Sequence, residues 1–322
     1  MRRTPHALLI TLALGSAAAQ QAGTQQTGTR TVTLYTTVNR AVAEAVTAAF
    51  QARTGITVTL KTGNLPADLT GIDAVWLNDT GLNSIPATRL ARLPTDLTAK
   101  SRVNLGPQWL ATHARYHTLA YSRDRVQAAT LPTTLLNLPA HTELRGRVGW
   151  AVASPAFTDL TAALLATHGE NVTRAWLTGM IALNPRDYGS EVSALTQAVQ
   201  DGELDVALTT HPFVQRVRGA GYRVAAAWMQ SGDPGNLMET GAAAVLRAAP
   251  HPAQAYALLR ALAQPETGLL LYASTFDQPL TTGPLNPGGL IPPEQLAALG
   301  PNPDRAAWQE RARDLLIELD LY

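Results

Sequence analysis

The chain has no cysteine, which excludes disulfides, thiolate metal sites, a cysteine nucleophile and a lipobox-type lipid anchor. Charge is also sparse. Charged residues make up 15% of the 322 positions, and Lys+Arg 25 nearly cancels Asp+Glu 24, so the clustered positive surface that nucleic acid requires is missing. Lysine occurs only at Lys61 and Lys100, so the basic groups are almost all arginine, which carries no functional signal by itself. No Gly-x-Ser-x-Gly, His-Glu-x-x-His, P-loop or dinucleotide fingerprint is found, and the seven histidines are scattered rather than set at ligand spacing. These absences read as a protein that is not an enzyme and needs no cofactor. No run of about 20 apolar residues suggests a membrane-spanning helix.

What is present begins with Met1-Arg2-Arg3, the apolar Ala7 to Leu14 and then Ala17-Ala18-Ala19-Gln20, the three parts of a secretory signal cleaved after Ala19. Gln20 to Arg30 is rich in Gln, Thr and Gly and reads as a disordered leader. Thr31 to Thr36 is an opening strand. Asn39 can cap the helix that follows, Thr54-Gly55 stops it, and Ile56 to Leu60 returns as a strand, so a parallel β-α-β unit is predicted. Asp73 to Leu77 reads as a third strand ending in the polar turn Asn78-Asp79.

The central stretch runs from Arg145 to Arg216. Val148 to Val152 reads as a buried strand that hands over at Ser154 to helical spacing from Phe157 to Thr167. Helices are predicted at Val172 to Met180, capped by Asn171, and at Glu191 to Gln200, capped by Ser190. A second strand, Val206 to Thr209, ends in Thr209-Thr210-His211-Pro212-Phe213. Strand ends that open onto one crevice are where open α/β sheets bind ligands, and a helix N-terminus there is a natural anion site. Toward the C-terminus Asn236 to Leu246 reads as a strand, helices start at Pro252 and Pro265, and a last helix spans Asp304 to Leu319. His251, just before Pro252, reads as a capping residue.

Gly146-Arg147-Val148-Gly149-Trp150-Ala151, Gly202-Glu203-x-Asp205, Asn236 to Leu246 and Asp277-Gln278-Pro279-Leu280 together resemble the solute-binding proteins of bacterial ferric-iron ABC importers. The likeness covers nearly the whole chain after the leader. It implies a two-lobe α/β fold of the type II periplasmic-binding-protein class, each lobe a mostly parallel mixed sheet flanked by helices, with a ligand cleft between. On this basis the lobes are expected at 31–117 with 236–280, and at 118–235 with 281–322. It also implies a soluble periplasmic monomer whose partners are a small solute and an ABC permease.

Where the family places two tyrosine metal ligands this chain has Pro212 and Phe213, and Asn39 stands in place of a histidine. A hard trivalent ion wants several anionic oxygens, and this set supplies none, so no protein metal site is predicted. The expected cleft residues are Thr36, Thr37, Asn39, Asn78, Asp79, Arg115, Ser154, Tyr188, Thr210, His211 and Phe213, which suit a small oxyanion, an organic anion or an already chelated metal. A neighbouring reading keeps ferric iron on a displaced set of Glu191, Tyr188, Asp79 and His211. A remote one is a hydrolase built on Ser154, His211 and Asp205.

Overall fold

The alternating Thr31–Thr36 forms β1, paired in parallel with β2 (Thr57–Thr62), and α1 (Arg40–Thr54) joins them. Asn39 caps α1 by accepting from the backbone N–H groups of Ala41 and Val42, and Gly55, at φ 66°, ends it in the left-handed region. The α1 stripe Val42, Val46 and Phe50 packs on β1 and on Trp76, which is fully buried in β3 (Ala74–Leu77). The computed structural model describes residues 30–78, 82, 84–219, 221, 223–283, 296 and 304–322. The expected secretion signal, the leader before Arg30, and Asp79 lie outside them.

One long strand ties the molecule together. β4 (Leu110–Ser122) pairs through its first half with β9 (Met238–Val245) and through its second half with β7 (Val206–Thr210) and β8 (Val224–Ala227). The first sheet runs β2-β1-β3-β9-β4, and β10 (Gln278–Pro279) also pairs with β4. The second continues β4-β7-β5-β6, with β5 at Val148–Trp150 and β6 at Arg186–Asp187, both parallel. At the crossing, the His117 N–H donates to the Leu237 carbonyl at 2.9 Å. Each sheet carries its own buried apolar cluster. Trp76, Phe50 and Leu258 belong to the first, and Trp150, Phe157 and Trp176 to the second.

The remaining long helices among the described residues complete the two layers. α2 (Pro155–Ala182) runs through both helices expected from Phe157 onward and bends at Gly169, φ 77°. Asn171 therefore lies inside the helix and does not cap it, because the glycine supplies the break. α3 (Val192–Gln200) starts one residue later than expected, with Glu191 at the N-cap position and no side-chain cap, so Ser190 does not cap it. α4 (His211–Gly219) follows β7 directly. α5 (Pro252–Leu262) and α6 (Pro265–Thr275) cover the first sheet, and α7 (Arg305–Glu318) packs on α2. His251 precedes α5 but makes no cap. Its ring and backbone N–H both bond the buried Asp73 carboxylate instead.

Candidate functional site

The carboxyl ends of β1, β2 and β3 leave a recess of ≈ 580 Å³ whose walls include Thr36, Thr37, Thr62, Asn64, Asn78 and Ser84. Three of the expected residues, Thr36, Thr37 and Asn78, are thus brought together. Thr36 is fully buried and its hydroxyl is spent internally, donating to the Trp76 carbonyl at 2.6 Å and accepting from the Val38 N–H at 3.0 Å. Thr37 Oγ1 accepts from the Asn78 N–H at 2.8 Å, so its own proton is left to point elsewhere. Asn39, exposed, is occupied as the α1 cap and is not among the lining residues.

Asn78 is held from both ends. Its Nδ2 donates to the Thr37 carbonyl at 3.0 Å, which can only accept, and this turns Oδ1 toward His113 Nε2 at 3.1 Å. His113 must therefore carry its proton on Nε2. Its Nδ1 then lies 2.9 Å from the Thr112 hydroxyl, whose one proton is shared between that nitrogen and the Gly241 carbonyl at 3.1 Å, and that hydroxyl accepts in turn from the Trp76 indole N–H at 3.0 Å. His113 is buried, and burial lowers its pKa from 6.5 to about 4, so the ring is neutral at pH 7. Opposite it on β9 stands Gly241, where any Cβ would overlap the imidazole.

On the second sheet Ser154 caps α2, accepting from the Phe157 N–H at 3.2 Å while donating to the Ala151 carbonyl at 2.7 Å. Ser154, Thr209 and His117 border a cavity of ≈ 10 Å³, enough for about one water. Thr209 Oγ1 is buried there without a hydrogen-bond partner among the described residues. Thr210 is buried at the end of β7, opposite His117. Phe213 is half-buried on the first turn of α4, and the Arg216 guanidinium lies 5.7 Å over its ring. Tyr188 donates to Glu203 at 3.3 Å.

Between the sheets sits a charged layer that sequence reasoning largely missed. Arg115 grips Asp277 with Nε at 2.6 Å and a second nitrogen at 3.3 Å. Burial pushes the Asp277 carboxyl up, but His113 and this guanidinium outweigh it and hold it below its ordinary value. His117 Nε2 lies 2.9 Å from Glu239. Burial raises the Glu239 carboxyl, and the His117 bond and charge more than reverse that. His211 is 0% exposed. Its Nδ1 accepts from the Tyr116 N–H at 3.0 Å and its Nε2 donates to the Phe276 carbonyl at 3.0 Å, so burial leaves it neutral with a pKa of about 4. It pins α4 to the loop after α6, and neither nitrogen is left for a ligand. The sequence signal was His113-x-Arg115-x-His117, whose period of two puts all three on one face of β4.

Arg115, one of the expected cleft residues, holds Asp277 with its guanidinium. Arg115→Ala leaves a carboxylate that is 2% exposed facing only the Thr275 hydroxyl. Because the arginine itself is 40% exposed, the expected loss is about 2 kcal/mol, read as a lower midpoint in urea unfolding. An unchanged midpoint would show the pair to be idle.

Chemically, the recess offers hydroxyls and amides. None of its described lining residues is charged. Among the described residues no group of three or more His, Asp or Glu could hold a metal ion. The Ser154 hydroxyl has no histidine partner, so the hydrolase arrangement is not assembled.

No family model matches the chain. It is 26% identical over 312 residues to the major ferric iron-binding protein of Neisseria meningitidis, spanning 88% of this chain and 91% of that one. It is 31% identical over 184 residues to the Fe(3+)-binding periplasmic protein of Serratia marcescens, 53% of each chain. Its fold matches iron-bound HitA from Pseudomonas aeruginosa at 25% identity with a TM-score of 0.73, covering 90% of this chain and 99% of that one. The fold is thus the two-lobe periplasmic-binding-protein architecture, and the relatives are binding proteins, not enzymes.

Proposed function

We propose that this chain is an extracytoplasmic solute-binding protein, exported by its N-terminal signal, which carries a ligand as a soluble monomer to an ABC permease. We assign the lobes to 31–117 with 236–280 and to 118–235 with 281–322. Two lobes joined through β4 and β9 can close on a guest, and the closed form is what a transporter distinguishes from the open one. The cargo we assign is iron already wrapped in an organic anion, or the anion itself. The names of the relatives favour iron as the metal. The observation that carries the chelate is the lining of hydroxyls and amides that the described residues give the recess, which matches ligand oxygens and gives a bare trivalent ion no compensating charge.

A second reading, ferric iron held directly by a displaced set, draws on the same relatives. Of its four residues, His211 has both nitrogens committed, Tyr188 is bonded to Glu203, and Asp79 lies outside the described residues, which leaves Glu191 exposed. Thermal melts with citrate, ferric citrate and other small carboxylates decide between them. Ferric citrate at about 100 times its Kd is expected to raise Tm by about 5 °C or more, with no visible phenolate charge-transfer band. A strong band would restore direct ligation, and no shift with any carboxylate would sink the chelate reading.

A further inference from the structure

Asn78 carries a carboxamide oxygen of the kind that ligates cations, and the fold turns it away from the recess. Building on the solute-binding reading above, we propose that His113 is the positioning residue that sets the polarity of this recess. By capturing the Asn78 oxygen on its Nε2–H, it leaves N–H and O–H donors facing the ligand. The Asn78 side of the recess therefore accepts the oxygens of a carboxylate anion or chelate and offers a naked cation no carboxamide oxygen.

The direction of the chain of bonds is fixed at its far end. The Thr37 carbonyl admits only a donor, so the amide nitrogen must face it and the oxygen must face the ring. The Asn78 backbone N–H occupies Thr37 Oγ1 and frees that hydroxyl to donate into the recess. Asn78 keeps a second amide proton with no partner among the described residues. Gly241 makes room for the ring, the Thr112 hydroxyl holds its other nitrogen, and burial keeps it uncharged, so it orients the amide without adding a cation of its own. His113 does not touch the recess itself; it acts through Asn78.

Three measurements on the mature protein test this. Nitrogen-15 NMR of the ring is expected to show the Nε2–H tautomer, and an Nδ1–H ring would overturn the proposal. Calorimetry with citrate and ferric citrate is expected to show His113→Gln, which keeps a donor near the Nε2 position, within about threefold of the native affinity. His113→Leu should fall about tenfold, the worth of one ligand-orienting hydrogen bond. Equal weakening of the two variants would mean that the ring only fills space.

Asn78→Asp is nearly isosteric and keeps the fold testable where His113→Leu does not fold. It presents a second acceptor oxygen that the imidazole leaves uncovered. It is expected to lose citrate affinity and to gain tryptophan-sensitised terbium(III) luminescence that the native protein lacks. Terbium binding to the native protein, or none to Asn78→Asp, would overturn the proposal. If the native protein binds neither citrate nor ferric citrate, the cargo assignment fails, while the tautomer and terbium results still decide the role of His113.

Discussion

Between pH 7 and pH 4.5 the folded protein is expected to lose about 2.5 kcal/mol of stability at each of His113 and His211, against a gain of about 3 kcal/mol at Asp159. Both imidazoles are buried and neutral, with pKa values lowered from 6.5 to about 4. A folded pKa below the unfolded one means that the unfolded chain binds more protons, so stability rises with pH. The contribution is whole above 6.5 and drains away as pH falls toward 4. The carboxyls of Asp277 and Glu239, held below their ordinary values, add their own loss only below the usual carboxylate range, while the Asp159 carboxyl, raised by burial from 3.8 to about 7, takes up its proton in the folded state and offsets part of the histidine loss in the same window. Urea unfolding at pH 7, 5.5 and 4.5 measures the slope. In Asp159→Asn, where the opposing carboxyl is gone, a midpoint that stays level across that span would mean that the rings are hydrated and titrate normally.

Replacing Gly241 by valine is expected to cost about 3 kcal/mol and to abolish ligand binding with it. Gly241 lies in β9 between β3 and β4, a position with no route to solvent, and an added Cβ would sit on the His113 ring. The ring cannot retreat without releasing both Thr112 and Asn78. A size swap separates crowding from strand propensity: His113→Ala combined with Gly241→Ala should be more stable than Gly241→Ala alone. If the double variant is no better, the crowding argument is wrong.

Local rules carried the sequence reading a long way. The Asn39 cap, the Gly55 stop and the Pro252 and Pro265 helix starts are short-range features, and each sits where its chemistry places it. The misreadings arise where a residue has a better partner far away in the chain. Asn171 is the local exception: an asparagine before an apolar stripe usually is a cap, yet Gly169, just before it, carries the bend. His251 stands at a cap position but bonds Asp73, 178 residues distant. Arg115, His117 and His211 find Asp277, Glu239 and Phe276, none of which is near in sequence. The recess was legible in part, since strand-end threonines and Asn78 mark it, whereas the role of His113 depends on tautomer and rotamer, which no spacing encodes.

The place of β9 has a consequence for biogenesis. The strand nearest to β3 on the side away from β1 is neither β2 nor β4 but one made from Met238–Val245, so the first sheet stays split until three quarters of the polypeptide has emerged. Such non-local pairing is slow to nucleate. A nascent chain of this design leaves β3 unpaired on that side until β9 arrives, and the first sheet knits shut only then.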